Sequence, residues 1–414
     1  MAKIKSFKGV RPTQDLITQV ASPPYDVLNS NEARIMVKSK PYSFLHVVKP
    51  EVDLPENIDH YDEAVYQKGR ENLYKMIQEN ILIQDSEPCY YLYQLKMGNI
   101  NQVGLVACAS IEDYEKDIIK KHEHTRADKE ADRIKHVDTL NANTGPVFLT
   151  YKAVDEMNKL VSDIMKDQPI YDFTAEDEIQ HTFWKIGDQA IIKLIDHIFE
   201  KIDYLYVADG HHRSASGTKV GQRRRAENPT HTGEEEYNYF LAVIFPHDQL
   251  YIMDYNRVVK DLNGLSNDKF IEMVKEKFII EKPDPKEPYK PSELHTFGMY
   301  FMGKWFKLTA IKNTFPQNDP VKSLDVSILQ ENLLKPILGI GDPRTDDRID
   351  FVGGIRGLEE LSKRVDAGEA VAFSLFPTSI EQLMAIADAG EVMPPKSTWF
   401  EPKLRSGVIV HLLD

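Results

Sequence analysis

The sequence predicts a mixed α/β (α+β) fold, because segments of strand character alternate with segments of helical periodicity along its 414 residues. Its hydrophobic fraction of 42% and charged fraction of 28% are typical of a folded globular chain and exclude a mainly disordered one. Apolar residues recur at helical spacing in 64–79, 153–166, 189–200, 326–338, 358–367 and 380–389. Short apolar runs indicate strands at 204–208, 240–245 and 370–376.

Two hairpins are the clearest local elements. Gly98-Asn99, a favoured turn pair, separates the strand segments 90–96 and 102–110. Met302-Gly303 separates 296–301 from 304–310 in the same way. We also expect 240–245 and 249–253 to pair as strands around 246–248.

The length predicts two or three domains. We divide the chain into an N-terminal α/β region (1–105), a central segment (106–262) and a C-terminal α+β domain (263–414). The last boundary is expected within 261–293, because Pro283, Pro285, Pro288 and Pro291 cannot lie in a continuous helix or a central strand.

Composition restricts the class of function. The chain has 51 Lys and Arg residues and 65 Asp and Glu residues, which gives a formal charge of −14. This negative charge argues against a protein that coats nucleic acid or an anionic membrane through its overall electrostatic field. No secretory signal or membrane-spanning run is visible, and Cys89 and Cys108 give no disulfide framework, so we expect a cytoplasmic protein. A P-loop and a Cys-x-x-Cys zinc site are excluded by pattern.

The strongest candidate site follows the apolar segment 204–208, where a strand should end and a helix begin. The segment reads Asp209-Gly210-His211-His212-Arg213-Ser214. The N–H groups at the start of a helix attract an anion, Arg213 adds a forked cation, and Asp209 is suited to hold Mg²⁺ or orient a nucleophile. The simpler interpretation is a helix capped by Asp209, with solvated histidines.

A second candidate lies upstream, in Lys121-His122-Glu123-His124-Thr125-Arg126. On an extended stretch His122 and His124 share one face and Glu123 takes the other. Glu123 is a candidate general base or metal-bound carboxylate. The alternative is a charged exposed turn. We expect the following helix to be mainly solvated, and we hold Arg126, Arg133 and His136 in reserve as phosphate contacts.

Three further segments supply candidate substrate ligands. They contain Ser22, Tyr25 and Asp26 in a proline-stiffened loop, Asn143 and Thr144 before the apolar run 147–151, and Lys396, Ser397 and Thr398 near the C-terminus. Each has a structural alternative, namely a buried turn, a polar turn and a closing loop packed by Trp399 and Phe400.

Several motifs in order resemble the uncharacterised bacterial and archaeal family catalogued as domain of unknown function 1015, and the likeness spans essentially the whole chain. They are Phe7-Lys8-Gly9-Val10-Arg11-Pro12, Ser22-Pro23-Pro24-Tyr25-Asp26-Val27, Lys121-His122-Glu123-His124-Thr125, Asn141-Ala142-Asn143-Thr144-Gly145-Pro146, Ala208-Asp209-Gly210-His211-His212-Arg213, Tyr255-Asn256-Arg257-Val258-Val259 and Pro394-Pro395-Lys396-Ser397-Thr398.

The segment from Asp209 to Arg213 is also remotely similar to the ParB/sulfiredoxin-like fold, which includes free serine kinases, so 106–262 is expected to form such a core with a helical insertion. The resemblance implies that Glu123 is the catalytic base, with Asp209 and His211 as further catalytic groups and Asp209 as metal ligand. It assigns phosphate or nucleotide binding to the residues around them, namely Gly210, His212, Arg213, Ser214, His122, Thr125 and Arg126. The cysteine of sulfiredoxins has no counterpart here.

The leading hypothesis is a phosphotransferase on a small hydroxy amino acid in serine metabolism, either a serine kinase or a phosphoserine-dephosphorylating enzyme. Its partners would be serine or phosphoserine, ATP or ADP, and Mg²⁺, with no nucleic acid or membrane, and a homodimer is an allowed assembly. One alternative is a nucleotide-binding switch without turnover. The other is a metal-dependent hydrolase that uses side chains of the two histidine-rich segments, namely His122, His124, His211, His212 and Asp209.

Overall fold

The computed structural model describes residues 1–282 and 287–414, and its contacts divide them into two compact units. The first unit contains Met1–Leu250 and Pro402–Asp414, and the second contains Tyr251–Glu401. This division differs from the three predicted segments, because the chain returns to the first unit at its C-terminus. It also keeps β5 (Ile100–Ser110), which crosses the predicted boundary at 105, in one piece. Pro283 and Pro285, used to predict a boundary, lie outside the described residues.

The strands of the described residues are named in chain order. They are β1 (Ile4–Lys5), β2 (Val10–Pro12), β3 (Leu82–Gln84), β4 (Tyr90–Met97), β5 (Ile100–Ser110), β6 (Ile119–Lys120), β7 (Ala142–Asn143), β8 (Val147–Tyr151), β9 (Tyr171–Thr174), β10 (Gln180–Ile186), β11 (Leu205–Asp209), β12 (Tyr239–Pro246), β13 (Tyr251–Met253), β14 (Tyr255–Val259), β15 (Phe278–Glu281), β16 (Thr296–Phe301), β17 (Lys304–Ala310), β18 (Ile349–Gly353), β19 (Val371–Leu375), β20 (Trp399–Glu401) and β21 (His411–Leu412).

The α-helices are named in the same way. They are α1 (Ile17–Val20), α2 (Ser30–Val37), α3 (Leu45–Val48), α4 (Glu63–Gln78), α5 (Ile111–Glu115), α6 (Ala127–Leu140), α7 (Asp155–Ile164), α8 (Gln189–Phe199), α9 (His211–Glu227), α10 (Asn267–Lys275), α11 (Asp325–Leu329), α12 (Glu359–Asp366) and α13 (Ile380–Asp388). A π-helical turn, Gln330–Leu334, continues α11.

The first unit is built on a mixed sheet with the strand order β6-β11-β8-β12-β5-β4-β10-β9, and β1 pairs with β5. Strands β5 and β12 read as nearly continuous apolar runs because both faces of the sheet are covered. One cluster of buried side chains joins the sheet to α7 and α8, with Leu149, Ile195 and Val207 among its members. Each such burial contributes about 1.5–3 kcal/mol.

Helix α9 packs on β12 and against α6. It is rich in Gly, Ser and Ala, which allows a close approach: a Cβ atom added to Gly217 would meet the Cβ of Phe240 at 3.0 Å. A second apolar cluster, which includes Phe44, Leu73 and Leu140, holds the N-terminal helices against α6. The C-terminal segment joins this unit where β21 pairs with β7.

The second unit contains a sheet with the strand order β15-β17-β16-β19-β14-β18. Helix α12 packs on this sheet, and the buried Val258, Trp305 and Leu361 form part of the shared core. Strand β14 runs antiparallel to both of its neighbours, β18 and β19.

The mixed α/β class and both predicted hairpins are confirmed. Strands β4 and β5 enclose the turn Gly98-Asn99, and β16 and β17 enclose Met302-Gly303. The expected pairing of 240–245 with 249–253 is wrong, because β13 pairs with β20 instead. Cys89 and Cys108 are buried free thiols. Within the described ranges, no helix combines the length and the apolar character needed to cross a bilayer.

Candidate functional site

The site is organised by the turn between β11 and α9. Gly210 takes a left-handed conformation, with φ +94°, and helix α9 begins at the next residue. A side chain is disfavoured in this conformation, so glycine allows the chain to reverse direction directly after the strand. The pairing of β11 with β8 shifts register between Val207 and Asp209, which marks a bulge at the same end of the strand. Bulges often re-aim side chains beside functional sites.

The topology of the sheet gathers two other predicted segments around this turn. Strand β6 runs parallel to β11, so the segment 121–126 leaves the sheet at the same end of the strands as Asp209. Strand β8 runs antiparallel to β11, and Phe148 pairs with Asp209. The polar segment that precedes β8 and contains Asn143 and Thr144 therefore lies at this end of the strands as well.

Asp209 is held ionised by two cations. Its Oδ2 accepts a hydrogen bond from Lys403 Nζ at 2.9 Å, and its Oδ1 accepts one from the Gly210 N–H at 2.8 Å. Burial alone would raise the pKa of this carboxyl, but Lys403 and Arg213 outweigh it and hold the pKa well below its usual range. A carboxylate therefore lies beside the first turn of α9.

His122, Glu123 and His211 form a cluster in which one ligand-type atom from each lies within 4.8 Å of the others. Glu123 Oε2 is 3.8 Å from His211 Nδ1, and the two imidazole rings meet edge to face with their centroids 4.5 Å apart. Nδ1 of His122 and Nε2 of His211 are buried without a hydrogen-bond partner in the described part of the chain.

Both histidines of the cluster are neutral at pH 7. Burial lowers the pKa of His211 to about 4, although Asp209 opposes the shift. Burial also lowers the pKa of His122 well below its usual range, and the neighbouring His211 adds to this effect. Neutral imidazoles are able to accept a hydrogen bond or to bind a metal ion.

Arg213, on the first turn of α9, connects the other predicted segments. Its guanidinium donates to the Pro146 carbonyl and to the Asp26 carboxylate, each at 2.9 Å, and lies over the ring of Tyr25 at 5.4 Å. Burial would lower its pKa, but Asp26 and Tyr25 raise it above its ordinary value, so the charge is permanent. The proline-stiffened loop and the turn before β8 therefore both contact Arg213.

A cavity of about 30 Å³, with room for a water molecule, opens beside Arg213. Tyr25, Asn143 and Thr144, all predicted to bind substrate, line it together with Arg133, whose guanidinium lies 4.3 Å from the Tyr25 ring centroid. Glu123 is not among the lining residues. Glu123 therefore meets the first turn of α9 at His211, whereas the cavity meets it at Arg213.

Three other predicted residues of the first unit, His212, Arg126 and Thr125, differ in their hydrogen-bond partners. His212 accepts a hydrogen bond from the Arg126 N–H at 3.1 Å, whereas the exposed Arg126 side chain pairs with Asp128. Thr125 donates to Glu130.

Two predicted hydroxyls do not face the site. Ser22 is buried and exchanges backbone hydrogen bonds with Ser406. Ser214 is fully buried, and its hydroxyl donates to the His211 carbonyl within α9. His136 is buried with its ring on the Val47 carbonyl.

Lys396, Ser397 and Thr398 belong to the second unit. Ser397 Oγ donates to the Pro394 carbonyl at 2.6 Å, which closes a tight turn. Lys396 is exposed and adopts a left-handed conformation with φ +57°.

Sequence reasoning missed Lys403 and Ser406 and gave Arg133 only a reserve role. Lys403 follows Pro402 in a segment interpreted as a closing loop, and no local pattern indicates that it reaches Asp209, 194 positions earlier. The interleaved charges of α6 concealed Arg133, although its spacing on a helix was readable. Long-range contacts, among them the pairing of β21 with β7 and of Ser22 with Ser406, bring the C-terminal segment to this site.

The side chains fit two kinds of cation differently. Mg²⁺ favours oxygen ligands and is commonly held by one or two carboxylates together with substrate phosphates, a role open to Asp209. Two imidazoles and a carboxylate, as in the cluster of His122, Glu123 and His211, suit zinc and related transition metals.

Comparison with known proteins identifies the family. The model of the family described as protein of unknown function (DUF1015) matches residues 4–327, so the chain belongs to this family. No curated protein matches it.

Similar solved structures include a free serine kinase in complex with AMP, at 16% identity and a TM-score of 0.33, covering 69% of this chain and 84% of that one. A conserved hypothetical protein from Pyrococcus furiosus is 17% identical, with a TM-score of 0.34 and coverage of 72% and 93%. SbnI with C-terminal truncation from Staphylococcus aureus is 11% identical, with a TM-score of 0.34 and coverage of 73% and 85%.

Proposed function

We propose that this member of the DUF1015 family transfers a phosphoryl group to or from a small hydroxy amino acid, with ATP or ADP as the nucleotide. The observation that carries the proposal is the meeting of Glu123 with His211, at 3.8 Å, on the first residue of a helix that also presents Arg213. A carboxylate suited to accept a proton thus lies beside a helix start suited to hold an anion.

The anion is held by the start of α9. The first N–H groups of a helix have no partner within it, and the helix dipole favours negative charge there. Arg213 contributes a guanidinium, which matches phosphate oxygens in a bidentate way. To bind phosphate it would exchange Asp26, which is 42% exposed and can turn to solvent.

Glu123 is the base in this proposal. Its side chain is 47% exposed, so a substrate can reach it. The substrate hydroxyl gives its proton to the carboxylate while its oxygen forms a bond to the γ-phosphorus of ATP. The bond from that phosphorus to the ADP oxygen breaks, and ADP leaves with the electron pair. In the reverse direction phosphoserine and ADP yield serine and ATP.

Asp209, Lys403 and His211 organise the region between base and anion. Lys403 neutralises Asp209 in the resting state and is a cation that can turn to a bound phosphate. Mg²⁺, when it binds with the nucleotide, supplies charge neutralisation for the phosphates, and Asp209 is the carboxylate placed to hold it. The neutral His211 ring packs beside Glu123 and keeps a second cation away from the base.

We propose that Tyr25, Asn143 and Thr144, which line the cavity of about 30 Å³, contact one polar group of the amino acid, and that Asp26, once released from Arg213, faces its ammonium group. Ser22 supports this loop through its backbone pairing with Ser406. Lys396, Ser397 and Thr398 remain predicted substrate ligands. The ParB/sulfiredoxin-like character of the central segment, the cytoplasmic setting and the homodimer also remain predictions.

Phosphorus NMR tests the proposal directly. The protein is incubated with Mg²⁺ and either ATP plus serine, ADP plus phosphoserine, or phosphoserine alone. We expect a serine-dependent change of ATP into ADP and phosphoserine, or its reverse. Formation of inorganic phosphate from phosphoserine alone would indicate a phosphatase. Nucleotide binding without conversion in any mixture would contradict the proposal and favour a nucleotide-binding switch.

A metal-dependent hydrolase is the second candidate, and the His122–Glu123–His211 cluster specifically favours it. A bound zinc ion would supply an activated water there. Metal analysis of dialysed protein separates the candidates. Stoichiometric zinc that is lost in a His211→Ala variant and kept in a His124→Ala variant, where His124 is an exposed neighbour, would favour the hydrolase.

A further inference from the structure

Two motifs of the sequence perform no step of the proposed phosphoryl transfer, and both lie in the second unit. They are Tyr255-Asn256-Arg257 at the start of β14 and Pro394–Thr398 before β20. Arg257 lies on an inner strand of its sheet, opposite Phe351 of β18 and Phe373 of β19. Apolar neighbours of this kind are an unusual setting for a guanidinium.

The guanidinium of Arg257 is buried and bound by backbone oxygens. The residue is 4% exposed. Its Nη2 donates to the Lys396 carbonyl at 2.9 Å, and its Nη1 donates to the Tyr255 carbonyl. The cation lies 4.9 Å from the ring centroid of Phe351.

No carboxylate of the described residues pairs with Arg257. Arg405 provides a contrast: it is also buried, at 8% exposed, but it pairs with Asp177. A buried charge without a counter-charge is penalised by several kcal/mol. Burial lowers the pKa of Arg257 to about 10, so the group remains charged at neutral pH and does not escape this penalty by losing its proton.

Lys396 brings a second cation to the same place. Its carbonyl is one of the two that hold the Arg257 guanidinium, and its Nζ lies 5.6 Å from the ring centroid of Tyr255. The lysine adopts φ +57°, a conformation that is disfavoured for residues with a side chain and is often found at functional positions. Arg257 and Lys396 thus both approach the Tyr255 ring, with the guanidinium carbon 5.9 Å and the ammonium nitrogen 5.6 Å from its centroid.

We infer that Arg257 and Lys396 form an oxyanion site in the second unit, which takes a phosphate group as its ligand. Two nitrogens of the guanidinium already hold the backbone in place, and the remaining N–H groups and the Lys396 ammonium are donors for phosphate oxygens. The ligand supplies the counter-charge that the chain lacks. This inference does not depend on turnover in the first unit.

Phosphate titration of the full chain by isothermal calorimetry tests it. Inorganic phosphate, phosphoserine and serine are titrated separately, so that free phosphate and a phosphorylated ligand are distinguished. Wild-type protein is expected to bind two phosphate groups. Arg213→Gln removes the first-unit site and leaves one, and Lys396→Met removes the second-unit site and also leaves one.

Two variants complete the experiment. Arg257→Lys keeps the positive charge but loses the bidentate guanidinium. We expect it to weaken phosphate binding at the second-unit site at least tenfold. Arg356→Gln, an exposed arginine of the same unit, is the control and should leave both sites intact. If Arg257→Lys does not fold, as circular dichroism will report, Lys396→Met decides, because Lys396 is exposed.

The inference is overturned if Lys396→Met and Arg257→Lys bind phosphate as the wild type does. Loss of all phosphate binding in Arg213→Gln alone would also overturn it, while leaving the proposed function in place. Conversely, a second-unit site that persists in an inactive protein would support the inference and count against the proposed function only.

Discussion

The two units treat their buried charges differently. In the first unit Arg213 pairs with Asp26 and Arg405 with Asp177. In the second unit the buried Arg257 has backbone carbonyls and aromatic rings as its partners. A paired guanidinium must exchange its partner to bind a substrate anion, which makes binding conditional. A guanidinium without a counter-charge binds an anion with nothing to displace. Under our two proposals, this difference suits the first unit to turnover and the second to retention of a ligand.

The two units also differ in which titratable groups they bury. Every histidine except His295 belongs to the first unit, where burial lowers the pKa of His122 and His211 among others. The second unit instead buries the carboxyl of Asp325, and burial raises its pKa to about 7. Burial thus keeps several imidazoles of the first unit neutral at pH 7, and in the second unit it brings the pKa of one carboxyl close to neutral pH.

The largest expected effect comes from removal of the base. Glu123→Gln should lower the turnover number by about 10²–10⁴-fold, the usual contribution of a general base, while ATP still binds. The matched change in the second unit, Asp325→Asn, should leave turnover within about twofold. Steady-state kinetics and nucleotide titration of both variants measure this. Equal losses in the two variants would break the assignment of chemistry to the first unit.

Changes to the ion pair of Arg213 and Asp26 should have the next largest effect. Arg213→Gln is expected to weaken ATP binding by about 10–100-fold, because a hydrogen bond to a charged group contributes about 1.5–3 kcal/mol. Asp26→Asn removes the competing carboxylate, so phosphate should bind a few-fold more tightly. Both constants are measured by calorimetry without the amino acid. Weaker phosphate binding in Asp26→Asn would show that Asp26 orients Arg213 and does not compete with the ligand.

Much of the fold was readable because local patterns decide it. The turn pairs Gly98-Asn99 and Met302-Gly303 fixed two hairpins, and apolar spacing located helices such as α4 and α8. The strand pairing of β13 was not readable, since its partner β20 lies about 150 residues away and nothing in either segment specifies the other. The return of the C-terminal segment to the first unit was not readable for the same reason.

In the candidate site, too, local features were predictable and contacts between distant segments were not. The turn from Asp209 to Arg213 was predictable, because glycine after an apolar strand and before a helix has a local physical meaning. The sequence could not show that Ser214 faces inward, which depends on how α9 rotates on the sheet. It also could not show that Lys403 reaches Asp209. Contacts between distant segments are set by packing, which local patterns do not contain.

The pH dependence of unfolding should distinguish the two units. In the first unit the pKa of His211 is about 4 when folded and 6.5 when unfolded. Between these values the unfolded chain binds more protons, so stability is complete above pH 6.5 and is lost as pH falls toward 4. In the second unit Asp325 has a pKa of about 7 when folded and 3.8 when unfolded. Here the folded chain binds more protons, so this stability is complete below pH 3.8 and is lost as pH rises through 7.

Hydrogen exchange of β8 and β16, corrected for the intrinsic effect of pH, follows one strand of each unit. Between pH 5 and 6.5 we expect protection of β8 to increase and protection of β16 to decrease, each by about 1–2 kcal/mol in opening free energy. Asp325→Asn should abolish the slope of β16 and leave that of β8. If protection of the two strands changed with pH in the same direction, the proposed electrostatic difference between the two units would be wrong.

The smallest expected effect compares two left-handed glycines, Gly210 in the first unit and Gly303 in the second, with φ +94° and +71°. Alanine at either position should destabilise the protein by about 1 kcal/mol, because the added Cβ is strained in this conformation. Neither change meets a severe clash, since the nearest atom to a Cβ at Gly210 is 3.5 Å away and none lies within 4 Å at Gly303. The two urea midpoints should therefore fall by similar amounts. Only Gly210→Ala should also lower turnover, several-fold, since that turn aims the first N–H groups of α9 at the phosphate. If Gly303→Ala lowered turnover equally, the loss would follow from stability, and the conformation of Gly210 would have no separate role in catalysis.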